Sequence, residues 1–138
     1  MADMTKEEIA EYLAEAHVAH MVTLRPNGRP QVAPVWFLED NGQAFVMADA
    51  NAMKVRNVRR NPAVTLSIAT DQRPLKYVVL NGNAQVAETD IAQMVERICV
   101  RYDGPERGVE YAKELLSEDR MKVIEIQVTR VVGWKDED

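Results

Sequence analysis

The chain has 138 residues, of which 46% are hydrophobic and 28% charged, and its formal net charge is −5 at pH 7. This length predicts one domain, residues 1–138, with a core of its own. The acidic balance argues against a general nucleic-acid-binding protein, because nonspecific phosphate affinity needs clustered positive charge. The single cysteine, Cys99, excludes an internal disulfide framework and a cysteine-rich zinc site.

The amino terminus and the hydropathy predict a cytoplasmic protein without membrane association. No segment approaches the apolar run that a membrane-spanning helix needs. The first residues carry acids where a secretory signal would carry cations and an apolar stretch. The two histidines, His17 and His20, lie three apart on a predicted strand and therefore point to opposite faces, so we expect no metal site.

The first third of the chain predicts a helix followed by three strands. Thr5 and Glu8 have the spacing of a capping box, with Thr5 as the N-cap. The strands are predicted at residues 17–24, 31–39 and 43–48, and the turns between them contain Asn-Gly, a strong hairpin signal.

The rest of the chain alternates helices with three further strands. A basic helix is predicted at 52–60, capped by Asn51 or, less favourably, by Asp49. Strands follow at 63–69 and 76–88, with a bend or bulge at Gly82. A helix then starts at Thr89 or Asp90, "DGPERG" breaks the chain, a short helix ends near Ser117, and a last strand covers 121–134.

Six strands joined mostly by short turns must pair antiparallel, and closing them into a barrel removes exposed edges. The predicted fold class is therefore mainly β, a six-stranded antiparallel barrel with peripheral helices.

The predicted basic helix is the most unusual feature of this acidic chain. Between Ala50 and Thr70 it has four cations, Lys54, Arg56, Arg59 and Arg60, and no acid. Arg59 and Arg60 complement the negative end of the helix dipole, so a solvated surface role is sufficient for them. Lys54 lies near the positive end, where a cation is unfavourable but an anion such as phosphate binds readily.

Two tryptophans and a proline are further candidates for a ligand site. Pro34 indicates an edge, a bulge or an opened strand next to Trp36. Trp134 follows Gly133 near the carboxyl end, where we expect a partner chain or a ligand to cover it. Cys99 lies on the apolar stripe of its helix and is predicted to be core.

Four segments, taken in order, resemble one known family: "TLRPNGRPQVAPVWFLEDNG", "KVRNVRRNPAVTLSI", "YVVLNGNAQV" and "RVVGW". They are similar to the flavin and deazaflavin oxidoreductase superfamily, the pyridoxamine 5′-phosphate oxidase-like proteins built on the FMN-binding split β-barrel. The resemblance extends from about Thr5 to Trp134. It is greater to the small single-domain branch, which includes coenzyme F-420-dependent reductases, than to pyridoxamine phosphate oxidase itself.

The resemblance implies a homodimer with a cofactor, F-420 or FMN, in each cleft between the subunits. The cofactor phosphate would be held by Lys54, supported by Arg56 and Asn57. The ring would lie along the backbone of the second and third strands, at Pro34, Val35, Trp36, Met47, Ala48 and Asp49. The residues implied to close the site from the other subunit are Lys76, Tyr77 and Trp134.

The expected reaction is hydride transfer between bound F-420 or FMN and a small conjugated organic substrate. Because the cofactor carries the hydride, no catalytic acid or base is expected. One alternative is a non-catalytic carrier or sensor of the cofactor, and another is a barrel whose basic helix contacts an acidic partner surface. Relatives that bind deazaflavin often have a further cation where this chain has Ala52, so F-420 and FMN both stay open.

Overall fold

The computed structural model describes residues 2–137. In chain order the elements are β1 (Ala2–Asp3), α1 (Lys6–Leu13), β2 (Ala19–Leu24), β3 (Pro30–Val35), β4 (Phe37–Asp40), β5 (Gln43–Asp49), α2 (Met53–Arg60), β6 (Ala63–Ala69), β7 (Lys76–Val86), α3 (Ile91–Asp103), α4 (Pro105–Leu116) and β8 (Met121–Lys135). Among these residues no helix has the length and apolar character needed to cross a membrane.

The strands form one antiparallel sheet in the order β3-β2-β6-β7-β8-β5-β4, and β1 pairs with the end of β8. β3 and β4, at the two ends of this order, are separated in the chain only by Trp36. One bent strand therefore joins both edges, and the sheet curls into a barrel. All six predicted strands are present; the second is divided at Trp36, and β1 is an addition that its two residues did not predict.

Alternate residues of the strands fill the barrel, as the period of two requires. Side chains that are at most 1% exposed include Ala19, Met21, Val46, Leu66, Ile68, Val78, Leu80, Ile124 and Ile126. Helices α3 and α4 form a second cluster, which includes Cys99, over the outer side of β5 and the start of β8. Cys99 is fully buried, as predicted.

The predicted irregularity at Gly82 is a register shift between β7 and β8. The pairing changes between Asn81 and Gly82. A Cβ atom on Gly82 would lie 2.2 Å from the carbonyl oxygen of Gln127, so no side chain fits there. The glycine therefore allows the two longest strands to remain paired through the bulge.

Helix α1 begins as predicted, with a capping box. The Glu8 backbone N–H donates to Thr5 Oγ1 at 3.1 Å, and the Thr5 N–H donates to Glu8 Oε1 at 2.9 Å. The second carboxylate oxygen of Glu8 accepts from Lys135 on β8. This pair holds the start of α1 against the end of the sheet.

Two predicted helix boundaries are wrong. The N-cap of α2 is Ala52, with no side-chain hydrogen bond, rather than Asn51 or Asp49. Asp49 instead accepts from the Asn51 N–H at 2.8 Å and from Arg120 at 2.6 Å, so its carboxylate is engaged in the turn before the helix. Helix α4 begins at Pro105, directly after Gly104, because proline is favoured at the first helical position.

Candidate functional site

Lys54 is the second residue of α2, and its side chain is half-buried. Within residues 2–137 its ammonium group has no hydrogen-bond or ion-pair partner, and burial alone lowers the pKa of Lys54. The first turn of α2 has no acid and no side-chain cap. An unpaired cation beside the free N–H groups of a helix start is a suitable site for an oxyanion such as phosphate.

Asn57 lies on the buried side of α2 and is only 1% exposed. Its Nδ2 donates to Thr23 Oγ1 at 3.0 Å, and its Oδ1 accepts from Arg60 Nη2 at 2.9 Å. Thr23 in turn donates to Gln31 Oε1 at 3.1 Å. Both ends of the Asn57 amide are thus engaged within the chain, where they hold α2 against β2.

The two neighbouring arginines are bonded to backbone carbonyl groups. Arg60 Nη2 donates to the Leu24 carbonyl at 2.6 Å, in addition to Asn57. Arg60 is exposed at the end of α2, as expected, and its guanidinium in addition joins α2 to the end of β2. Arg56 is exposed, and its Nη1 donates to the Asn51 carbonyl at 2.8 Å.

The bend at Trp36 is fixed by Tyr102, a residue of α3. The Tyr102 hydroxyl accepts from the Phe37 N–H at 3.0 Å and donates to the His17 carbonyl at 2.6 Å. The Trp36 indole stacks on the Tyr102 ring, with 4.6 Å between centroids and 1° between planes. Pro34 lies on β3, an end strand of the sheet order, as its position before the bend indicated.

Sequence reasoning missed this role of Tyr102. The signal available was a tyrosine on the inward side of its helix, since a hydroxyl that is partly buried needs a hydrogen-bond partner. Nothing in the local sequence says which partner that is.

The predicted residues of the third strand lie at the end of β5, just before α2. Ala48 faces the barrel and is 4% exposed, and Met47 packs against the cluster under α3 and α4. The Asn51 N–H and then Arg120 lower the pKa of Asp49. All three side chains are engaged within the chain, which leaves the backbone of residues 47–49 for any ligand contact.

Lys76, Tyr77 and Trp134 form a separate group at the far side of the sheet. Tyr77 pairs with Trp134 across β7 and β8, and the rings stack with 5.6 Å between centroids. Tyr77 on β7 is three strand steps from β3 and Trp134 on β8 is four, or about 14 and 19 Å along the sheet. One chain therefore does not bring this group to Pro34 and Lys54. The Trp134 indole N–H is buried without an acceptor among residues 2–137.

Between these two groups lies a sheet surface that we call the outer face. It consists of outward-pointing residues of β2, β3, β6, β7 and β8: His20, Val22, Val32, Pro34, Ser67, Tyr77, Val79 and Val132. Val32 is 57% exposed and Tyr77 37%. Polar residues Thr65, Asn81 and Arg130 continue the row of Val32 and Val22 across β6, β7 and β8, so the outer face is an apolar patch with polar residues at its border.

Within residues 2–137, no group of three or more His, Cys, Asp or Glu side chains is placed to hold a metal ion. The donors that the site does offer are an ammonium group, helix N–H groups and strand backbone. These fit a phosphate and a flat ring better than they fit a metal.

Two curated proteins show sequence similarity to this chain. It is 29% identical over 134 residues to the F-420H(2)-dependent biliverdin reductase of Mycobacterium tuberculosis, a match that covers 94% of this chain and 88% of that protein. It is also 29% identical over 90 residues to heme oxygenase HutZ of Vibrio cholerae. That match covers 65% of this chain and 50% of HutZ, so the chain spans about half the length of this relative.

Solved structures share the fold. The Mycobacterium tuberculosis protein Rv2991 superposes with a TM-score of 0.79 at 22% identity, over 96% of this chain and 85% of that one. A structure named F-420 reductase gives 0.70 at 24% identity, over 88% and 93%. These likenesses confirm the predicted split β-barrel. The family model described as pyridoxamine 5′-phosphate oxidase matches residues 5–135. The chain therefore belongs to the pyridoxamine 5′-phosphate oxidase family.

Proposed function

We propose that this protein is an oxidoreductase that transfers a hydride between bound F-420 or FMN and a small conjugated organic substrate. The observation that carries the proposal is Lys54, an unpaired, half-buried cation at the uncapped start of α2. The similarity to an F-420H(2)-dependent biliverdin reductase over 94% of the chain supports a deazaflavin, while the choice between F-420 and FMN is left to experiment.

In the proposed complex, Lys54 and the N–H groups of α2 hold the cofactor phosphate. Arg56 lies two residues further along α2 and therefore on another side of the helix, where its Nη1 donates to the Asn51 carbonyl. The backbone of residues 34–36 and 47–49 lies along the ring. The bound cofactor supplies the hydride chemistry. The chain's own contribution is to bind and orient it, and the Tyr102 hydroxyl keeps the bend at Trp36 in one conformation. No side chain is assigned as a catalytic acid or base.

We propose that two copies pack outer face to outer face, with a two-fold axis near β6. Such an isologous contact covers the apolar residues of both copies. It also turns the far end of one sheet toward β3 of the other, so that Tyr77 and Trp134 of the partner subunit close the site. Sedimentation should give twice the mass of one chain, and Val32→Glu should give monomers, because it places a charge in the buried contact. A wild-type protein that stays monomeric at micromolar concentration would contradict this arrangement.

Two relatives named for tetrapyrrole chemistry suggest the first substrate to try. One is named for biliverdin and the other for heme. Biliverdin is a conjugated molecule of the expected class, so we propose it as a test acceptor. A cofactor carrier without turnover is the second candidate, since a structure of HutZ is described as a heme storage protein.

The decisive experiment is a side-by-side fluorescence titration of the purified dimer with FMN and with F-420, followed by turnover. Binding of either cofactor supports the proposed site, and the cofactor that binds more tightly is the one that the protein uses. Steady oxidation of the reduced cofactor by biliverdin or a simple enone supports the enzyme. Tight binding without oxidation by any acceptor supports the carrier, and binding of neither cofactor overturns both.

A further inference from the structure

A second group of cations lies on the side of α2 that faces the β2–β3 turn. Arg25, Arg56 and Arg60 line a cleft of about 520 Å³, whose other lining residues are Pro26, Asn27, Met53 and Asn57. No acid is among the lining residues. In the described range 2–137, none of the three arginines has a carboxylate partner. Their charges are therefore not neutralised by the chain itself.

Two of these arginines are held in place by groups that carry no net charge. Arg60 is anchored through Nη2 by the Leu24 carbonyl and by the buried Asn57 amide, and Arg56 through Nη1 by the Asn51 carbonyl. A guanidinium group has five N–H donors, so each keeps further donors for another acceptor. The ordering of these side chains is thus already achieved before a ligand binds.

The cleft is distinct from the Lys54 site. Met53, Arg56, Asn57 and Arg60 are spaced i, i+3, i+4 and i+7, so they share one side of α2. Lys54 is about 100° further round the helix than Met53. Arg25 comes from the turn directly after β2, and the fold brings it to this side of α2.

We propose that this cleft is a second anion-binding site, which takes a ligand group with two or more negative charges, either a phosphate chain or a polycarboxylate. Three guanidinium groups around one cleft repel one another until a multivalent oxyanion lies between them, and their planar forks match phosphate and carboxylate oxygens. The proposed function requires one phosphate at Lys54 and does not require this site.

Two sources could supply such a group: an anionic extension of the bound cofactor, or a separate small molecule. The shared chemistry is the multivalent oxyanion, and inorganic tripolyphosphate and citrate are suitable probes. Neither probe contains a flavin ring, so the test does not depend on the proposed oxidoreductase activity.

The experiment is calorimetric titration of the cofactor-free protein with tripolyphosphate and citrate at low ionic strength. The Arg25 side chain makes no hydrogen bond or ion pair among residues 2–137, so Arg25→Ala should fold normally. We expect this variant to bind at least one probe ten or more times more weakly. Arg29→Ala, in the same turn but outside the cleft, and Arg59→Ala, on another side of α2, should change affinity less than twofold.

Three results would overturn the inference: no binding of either probe, equal loss in Arg25→Ala and Arg29→Ala, or a loss in Lys54→Ala as large as in Arg25→Ala. The third result would mean a single site at Lys54. Repeating the titration with loaded protein separates the sources. Probe binding that is blocked by F-420 but not by FMN identifies a cofactor extension, whereas binding that survives both identifies a separate molecule.

Discussion

Helices α1 and α2 have eight residues each and begin in opposite ways. α1 starts with a complete capping box and has two acids, Glu7 and Glu8, in its first turn. α2 starts at Ala52 without a side-chain cap, has no acid in its first turn, and places Lys54 there. The positive end of α1 is therefore satisfied within the chain, while that of α2 is left for a group from outside.

This difference separates two uses of a helix start. In α1 the N–H groups and the dipole contribute to stability, and Glu8 connects them to Lys135 on β8. In α2 a cation takes the place of the acid that a helix start favours, and the stabilising cap is absent, as is common at ligand sites. The two helices should consequently respond in opposite ways to mutation and to pH.

The largest expected effect is that of Lys54→Ala. It should weaken FMN or F-420 binding by about 1.5–3 kcal/mol, or about 10- to 150-fold in Kd, because a charge-assisted contact is lost. Thermal stability should not fall, since Lys54 has no partner among the residues described. Fluorescence titration checks the affinity, with riboflavin, which has no phosphate, as the control ligand. Unchanged affinity for both phosphorylated cofactors would show that the phosphate does not bind at the start of α2.

Thr5→Ala should lower the stability of the fold and leave cofactor affinity unchanged. Loss of the N-cap hydrogen bond should lower the free energy of unfolding by about 1 kcal/mol, measured by urea denaturation. Cofactor affinity should stay within experimental error. A cofactor affinity that falls together with stability would show that the two helix starts do not act separately.

Ala52→Asp should make α2 resemble α1. Ala52 already has the extended backbone of an N-cap, with φ −66° and ψ 145°, so a capping side chain fits. We expect a gain of about 0.5–1 kcal/mol in unfolding free energy and several-fold weaker cofactor binding, because the carboxylate competes with the phosphate. Ala52→Ser separates capping from charge. Gains in stability with no loss of affinity in either variant would place the phosphate elsewhere.

At alkaline pH we expect a change in α2. Burial lowers the pKa of Lys54, and a bound phosphate would raise that pKa again. The affinity that the Lys54–phosphate contact adds is therefore complete below the pKa of Lys54 in the free protein, and it falls as pH rises through that pKa. The ratio of FMN to riboflavin affinity should therefore decline between pH 7 and 10.5. A constant ratio would contradict a protonated Lys54 at the phosphate.

At acid pH we expect a smaller change in α1. Lys135 and then the Thr5 N–H lower the pKa of Glu8 from 4.5 to about 2. A carboxyl group with a lowered pKa stabilises the fold above its unfolded pKa, and this contribution is lost as pH falls from 4.5 toward 2. The difference in melting temperature between wild type and Glu8→Gln should shrink over that range. Salt should reduce this difference in melting temperature at neutral pH, because the Glu8–Lys135 ion pair is partly exposed.

Features that depend on neighbouring residues could be predicted from the sequence. The Thr5–Glu8 capping box spans four residues, and the bulge at Gly82 follows from one glycine within a strand pattern. The cap of α2 was not predicted, because Asp49 accepts from the Asn51 N–H in the preceding turn and from Arg120, and the second of these partners lies 71 residues later in the chain.

The candidate site follows the same division. Lys54 stood out because it breaks a local rule at a helix start. Arg25 and Tyr102 could not be recognised from the sequence, since their roles depend on elements far apart in the chain. Tyr102 reaches a strand bend 65 residues away, and Arg25 belongs to a turn that the fold places beside α2. Sequence reasoning therefore identified the phosphate candidate but neither the support of the bend nor the second cleft.

The Tyr102 hydroxyl also limits how far this protein could be shortened. A reduced barrel made by joining β7 directly to β8 would remove α3 and α4 and, with them, the hydroxyl that bonds the Phe37 N–H and the His17 carbonyl. Both backbone groups would then need water at a partly buried place, at a cost of about 1–3 kcal/mol each. The helical hairpin is thus a structural part of the barrel, and the exposed turns at Gly28 and Gly42 are better places for inserting new segments.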